Sequence, residues 1–534
     1  MKFLKIPLFQ QFLAATAGGL ILWLSWPADG LVWLKFVALA PMLALPEIYP
    51  QIRGGRFFLL SYWAFLVWNF CTTWWVWNAS PEGAVAAILF NSLFMAIVFR
   101  MGLFVRRNMG VVRGAIGLVS LWLAFEFLHQ RWDLAWPWLT LGFGFATMPE
   151  WVQWYQWTGP LGGSAWILGC NYAVARLFRS ADPLFFAKRL ATALLVIGLP
   201  VIFSYFMYFA KGKREIRSLR ITLLQPNIDP WNEKFDGLTP QAQVVKLLAM
   251  AGSAPADLYV APETAVPIAL WEKELYKDSL FGRFQAFVEA YPGSAFILGL
   301  STQDVFRESS EGVPPSAEPV GDGLYVDDYN TAAFLTSGQP PQLYHKSKLV
   351  PGPEMLPFPR ILKPLQDKVF GRLGGMIGNL GTQKERSVFR MPGSELGIAP
   401  SICYESVFPD FMAGFVRNGA RLIAVITNDG WWGDTPGYRQ HFAYARILAV
   451  SLGVPVVQSA NTGISGFISP KGDVLAQTHY WEPAILHRTL EIPTSGAPTF
   501  FARYGDWPGR LGLLVGGLLL LLALRQRWMR HKIF

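Results

Sequence analysis

The sequence predicts a polytopic α-helical membrane protein of about eight spans that also carries a layered α/β domain. Three observations predict it. Charged residues make up only 15% of the 534, hydrophobic residues 52%, and mean hydropathy is +0.30, whereas a soluble chain is about 25% charged. Polarity is also uneven. Residues 9–210 are apolar runs with short polar breaks, 211–505 reads as a soluble domain, and 511–524 (LGLLVGGLLLLLAL) is apolar again. Finally, short β-rich runs alternate with helix-length segments in the polar section alone.

A spanning helix takes about 20 mostly apolar residues. This places spans near 9–27, 31–48, 57–78, 83–105, 114–130, 160–179, 189–210 and 507–526. Loop charge orients them. Lys2 and Lys5, then Arg53 and Arg56, then Arg100, Arg106, Arg107 and Arg113, then Arg176, Arg179, Lys188 and Arg189 occupy every second loop. The loops near 27–30 and 78–83 have no Lys or Arg, and 129–157 has only Arg131. Basic loops stay cytoplasmic, so both termini are expected inside and 211–505 outside. The basic 211–220 segment breaks this pattern, but long translocated domains are largely exempt from it. A basic start before an apolar run also fits a cleaved signal peptide; losing the first span would put the basic loops on inconsistent sides. The net charge of +10 then follows from topology-setting loops and requires no nucleic acid. The Trp-rich runs 74–77, 132–138 and 151–157 fall on the outer side, where they read as interface anchors.

Within 211–505, strand-like runs stand at 220–225, 257–262, 294–301, 331–336, 396–403, 421–429, 454–460 and 466–470. Helix-length segments lie at 240–251, 271–290, 406–418 and 438–452. This alternation predicts a layered α/β domain. No phosphate loop or dinucleotide fingerprint is present. The acidic stretch 302–328, rich in Ser, Pro and Gly, reads as a surface insertion.

Three polar residues sit at strand ends: Glu263 in VAPETAVP, Lys346 in YHKSKLVPGPE, and Cys403 in APSICYES. A carboxylate can take a thiol proton, an ammonium can favour thiolate and stabilise an oxyanion, and a thiolate can form a thioester. Each also has an ordinary structural reading. Lys348 is a rival to Lys346 that strand alternation would place on the same face. Cys71 and Cys170 lie inside spans and read as packing residues; three cysteines make no disulfide framework, and no metal or cofactor is expected.

The flanking sequences add a resemblance. PET, YHKxxLVPxxE and ICYES, in that order, resemble the carbon–nitrogen hydrolase (nitrilase) superfamily with its Glu-Lys-Cys triad. Eight spans with a domain before the last resemble the bacterial apolipoprotein N-acyltransferase family. Matches at 225–235, 329–330, 426–434 and 441–472 extend the resemblance over nearly the whole chain. It implies a nitrilase-like α-β-β-α sandwich, with Glu263 as general base, Lys346 as transition-state stabiliser and Cys403 as nucleophile. Lys346 is preferred to Lys348 because the family lysine stands eight residues before a second essential Glu, here Glu354. Tyr404 and Glu405 match the family's Cys-Tyr-Glu run, and Trp231, Asn330 and Trp431 match positions near the pocket. The chain departs from the family at VPGPE and at NDGWWG. The Gly-rich stretch 371–380 reads as an arm able to dip into the bilayer surface.

The implied activity is transfer of an acyl chain from a glycerophospholipid, through a Cys403 thioester, to the α-amine of a diacylglyceryl-cysteine apolipoprotein. The implied setting is the bacterial inner membrane, with a periplasmic catalytic domain acting as a monomer. Two alternatives stay open: a membrane-tethered amidase acting on a small amide, and a transporter or receptor with an outer binding domain.

Overall fold

The computed structural model describes residues 7–179, 183–210, 215–235, 237–308, 312–359 and 379–532. They divide into two compact units: 1–210 with 499–534, and 211–498.

The first unit is helical: α1 (Leu8–Leu24), α2 (Ala40–Ile48), α3 (Gly54–Thr73), α4 (Pro81–Met109), α5 (Val111–His129), α6 (Tyr155–Ala175), α7 (Pro183–Phe209) and the C-terminal helix Trp507–Lys532. Among the described residues, α4, α5, α7 and Trp507–Arg530 are long and apolar enough to cross a membrane, and α1 is apolar but shorter. Start signals are local: Pro81 opens α4, and the Ser80 hydroxyl accepts from Gly83 N–H. α7 leaves Leu194, Leu199 and Phe206 exposed, a surface suited to apolar surroundings.

The span expected at 31–48 is broken. A 3₁₀ turn (Val32–Leu34) and a one-turn helix (Lys35–Ala38) precede α2. Asn171, on α6, fills the break: its amide oxygen accepts from Leu39 and Ala40 N–H at 2.7 and 3.0 Å, and its NH₂ donates to the Lys35 carbonyl at 2.6 Å. A helix can break at membrane depth where neighbouring side chains satisfy the freed backbone. α6 bends at Gly159 (φ 60°), just before Pro160. The tryptophan runs also divide: Trp75 and Trp138 are buried against each other at 5.1 Å, while Trp74, Trp77, Trp132 and Trp157 are exposed.

The second unit contains two sheets. The first includes β1 (Ile216–Gln225), β2 (Leu258–Val260), β3 (Val266–Trp271), β4 (Ala295–Arg307), β5 (Glu318–Gly321), β6 (Leu324–Thr336) and β7 (Gln342–His345). The second is β8 (Phe389–Arg390), β9 (Gly397–Ile402), β10 (Ala420–Thr427), β11 (Val456–Ala460), β12 (Gly466–Ile468) and β13 (Val474–Gln477), ordered 13-12-11-10-9-8. β14 (Ala484–Pro493) returns to the first sheet, antiparallel to β1, giving the order 14-1-2-4-6-5 with β3 on β4 and β7 on β6. The sheets face each other through β1 with β11 and β6 with β9.

Helices cover the outer faces. α8 (Pro240–Gly252) and α9 (Ser279–Ala290) pack on the first sheet, α10 (Pro409–Arg417) and α11 (Pro436–Leu452) on the second. Leu247, Phe281 and Phe284 from the first pair join Tyr259, Phe296 and Leu298 in one core, as their 3.6- and 2-residue spacings dictate. The result is an α-β-β-α sandwich.

The expected helix 271–290 proves to be a strand end, a 3₁₀ turn and α9, because the Asp278 carboxylate caps Leu280 and Phe281 N–H. The expected insertion 302–328 is in large part paired strand: β4 and β6 run antiparallel from Ala295↔Thr336 to Arg307↔Leu324, with β5 on their edge. Of the 371–380 stretch, 371–378 lie outside the described residues.

Candidate active site

Glu263, Lys346 and Cys403, far apart in sequence, meet at the ends of their strands. Glu263 follows β2 in a tight turn whose next residue, Thr264, has φ +47°. That turn lies directly on β4 at Gly299, where a Cβ would come within 2.5 Å of Thr264 N and 2.6 Å of Glu263 Cα. Gly299→Ala should therefore displace the carboxylate. The expected result is a drop of about 10²-fold in turnover, the scale set by misplacing a reacting group by about 1 Å, read as initial rate in protein that still purifies folded.

Cys403 directly follows β9 and opens a 3₁₀ turn, Cys403–Val407, with φ +48°. A non-glycine residue in this region costs on the order of 1–3 kcal/mol and persists only where the surroundings enforce it. Glu405 enforces it. Its fully buried carboxylate accepts from Ile402 N–H at 2.8 Å, Ser347 N–H at 2.7 Å and the Tyr344 hydroxyl at 2.5 Å. One side chain thus ties the cysteine turn to both flanks of Lys346. Burial pushes the Glu405 carboxyl up to about 7 despite these three donors.

Lys346, 1% exposed, donates to Glu263 Oε1 at 3.2 Å and Glu354 Oε1 at 2.6 Å. Asn330 Nδ2 donates to the same Glu263 oxygen at 2.7 Å, and Val350 N–H donates to the other oxygen of Glu354 at 2.8 Å. Lys348 is separate. β7 ends at His345, so strand alternation does not extend to it, and its ammonium lies 5.0 Å from the Phe408 ring.

The electrostatics assign protonation states. Burial opposes ionisation of Glu263, but the Lys346 ammonium, Asn330 and a second ammonium, Lys234, outweigh it and hold the carboxyl below its ordinary range. Burial likewise opposes the Lys346 charge, and Glu263 and Glu354 outweigh it, holding the ammonium well above its usual value. Burial and then the Glu263 charge push the Cys403 thiol well up, although Lys346 pulls it down. These shifts favour a carboxylate, an ammonium and a neutral thiol. A preformed thiolate, one outcome of the lysine chemistry expected from sequence, is disfavoured, and attack requires a base in contact with the thiol.

Of the other expected residues, Tyr404 is buried and packs edge-on against Phe408 at 5.1 Å. Trp231 is 56% exposed and meets Trp431 edge-on at 4.9 Å, with Phe235 stacked beyond at 6.5 Å.

Two features escape sequence reasoning. His441, on α11, contacts Asp429 Oδ1 through Nδ1 at 2.9 Å and the Ser406 hydroxyl through Nε2 at 2.8 Å. Ser406 in turn donates to the Cys403 carbonyl at 2.8 Å, so a buried polar chain also supports the cysteine turn. The other is Lys234, buried against the Glu263–Thr264 turn. Both lie in segments that resemble the family, but neither stands at a strand end.

An α-β-β-α sandwich with a carboxylate, an ammonium and a thiol at its strand ends can support acyl chemistry. Comparison with known proteins identifies the family. Residues 220–497 match the carbon–nitrogen hydrolase family and residues 18–173 match the apolipoprotein N-acyltransferase N-terminal domain. The chain belongs to the carbon–nitrogen hydrolase family. It is 29% identical over 533 residues to the apolipoprotein N-acyltransferase of Chlorobaculum tepidum, covering 97% of each chain. It is 27% identical over 553 residues to that of Geobacter metallireducens, covering 98% of this chain and 97% of the other. Among solved structures, an amidase from Nesterenkonia sp. is 17% identical, with a TM-score of 0.34, and is matched over 53% of this chain and 94% of its own.

Proposed function

We propose that this chain is an N-acyltransferase of apolipoproteins, moving an acyl chain from a membrane glycerophospholipid to the α-amine of an S-diacylglyceryl-cysteine. The observation that carries this reading is the hydrogen-bonded Glu263–Lys346–Glu354 chain next to Cys403, in a domain flanked in sequence by apolar helices.

The reaction runs in two halves. Glu263 takes the Cys403 proton as Sγ attacks the ester carbonyl, and the Lys346 ammonium stabilises the oxyanion. The lysophospholipid leaves as an alcohol, taking the proton from Glu263, and a thioester remains. The acceptor amine then attacks, Glu263 takes its proton and returns it to Sγ as the Sγ–C bond breaks, giving an amide and the thiol. Glu354 holds Lys346, Asn330 orients Glu263, and Glu405 with Tyr404 fixes the cysteine turn. Trp231 and Trp431 offer an aromatic wall to the acyl chain.

The setting follows from the loop charges: eight spans, the broken 31–48 segment among them, in the bacterial inner membrane, with both termini cytoplasmic. The 211–505 domain then works as a monomer on the periplasmic side, without a cofactor. Both substrates are lipids. Extracting either would cost about 0.8 kcal/mol per CH₂ exposed to water, a cost avoided by an enzyme resident in the bilayer.

The test supplies purified protein with phospholipid alone. Lysophospholipid should appear stoichiometrically, with an acyl mass on Cys403 that hydroxylamine removes. Continuous release of fatty acid, without an adduct, would instead indicate a hydrolase.

A further inference from the structure

A second lysine contacts the Glu263–Thr264 turn. Lys234, 3% exposed, comes from the turn after β1. Its ammonium donates to the Glu263 carbonyl at 3.2 Å and to the Thr264 hydroxyl, and its own carbonyl accepts from Gln243 Nε2 at 2.7 Å. A buried ammonium is costly unless it is paired or coordinated, and its charge here acts on the Glu263 carboxylate.

Charge along the site therefore alternates: Lys234 positive, Glu263 negative, Lys346 positive, Glu354 negative. The four sum to zero. When the Cys403 proton moves to Glu263, the S–H bond breaks, an O–H bond forms, and the electron pair stays on sulfur. The negative charge moves from Glu263 to Sγ, and the two ammoniums still balance Glu354 and the thiolate. Without Lys234, the same centre would carry an uncompensated buried negative charge both before and after the transfer.

We propose that Lys234 is a positioning cation of this centre, holding the strained Glu263–Thr264 turn and supplying the charge that keeps the site neutral while the proton moves. The proposal deepens the acyl-transfer reading and rests on its assignment of Glu263 as base. Facing Glu263 are Lys346 from the segment after β7, Lys234 from the turn after β1, and Cys403, which also feels Asp429 from the end of β10. Asn330 from β6 is uncharged.

The experiment reads proton transfer without any lipid, so its failure is distinct from failure of the acyltransferase reading. Alkylation of Cys403 by iodoacetamide is followed from pH 4 to 10 by peptide-resolved mass spectrometry in the full chain. Lys234→Met should slow alkylation at pH 7 by about tenfold or more, the effect of about 1.4 kcal/mol or more, and move the acid limb upward. Lys234→Arg should leave the acid limb in place. Burial pushes the Lys234 ammonium down to about 8, so wild type should lose reactivity above that pH, and the arginine variant should not. A purely structural role would lower the melting temperature of both variants and leave both limbs unmoved, which overturns the proposal. If Lys234→Met does not fold, the alkaline limb of wild type against Lys234→Arg decides alone: the same limb in both refutes it.

Discussion

Cys403→Ala is expected to lower acyl transfer by about 10⁴-fold or more, the scale found when a catalytic nucleophile is removed, while the protein still folds. The expectation of an intact fold comes from the backbone. Ala occupies the left-handed conformation at φ +48° at the same cost as Cys, and the Glu405, Ser406 and His441 bonds that enforce it do not involve the thiol. Cys403→Gly should be equally inactive yet more stable by about 1 kcal/mol, since glycine takes positive φ without strain. The assay is initial rate of lipopeptide acylation alongside thermal unfolding. Activity retained in Cys403→Ala would remove the nucleophile assignment.

Lys346→Met is expected to be the most damaging single change to stability. It leaves the buried Glu263 and the partly buried Glu354 without their shared cation, and breaking a buried ion pair from one side costs about 3–5 kcal/mol. The pH dependence gives a sign. In wild type the Glu263 carboxyl is held below its ordinary value, so it adds stability above its unfolded pKa and loses it as pH falls through the folded pKa. With Lys346 gone, burial raises that carboxyl, and its contribution reverses: stability is present at low pH and lost as pH rises. Thermal unfolding at pH 5 and pH 7.5 should therefore show the variant's deficit shrinking towards pH 5. Adding Glu263→Gln should recover part of the stability and none of the activity. A pH-independent deficit would contradict the coupled arrangement.

What sequence could disclose depended on whether neighbours in space were also neighbours in pattern. β9, β10, β11 and the 221–225 half of β1 are buried, largely apolar runs that hydropathy finds. Glu263 and Cys403 interrupt such runs at their ends, so they stand out. The break at 31–48 does not, because the residue that makes it tolerable, Asn171, is 132 positions from Leu39. The 302–328 stretch resembles a loop in composition, but the long β4–β6 pairing carries it as strand. Lys234 sits in PWNEKF and looks solvated; only the fold places it against the Glu263–Thr264 turn. Asp429 and His441 come together because β10 pairs with β9 and α11 crosses the same sheet, a relation with no local signature.

An acyltransferase must consume its thioester with an amine in preference to water. A single-turnover chase measures it directly: acyl-enzyme formed on Cys403 from labelled phospholipid is freed of donor, then divided between buffer and a diacylglyceryl-cysteine lipopeptide. The thioester should persist in buffer and decay with lipopeptide into one labelled N-acyl amide per enzyme. Label appearing as free fatty acid at the same rate in both, with no amide formed, would contradict it.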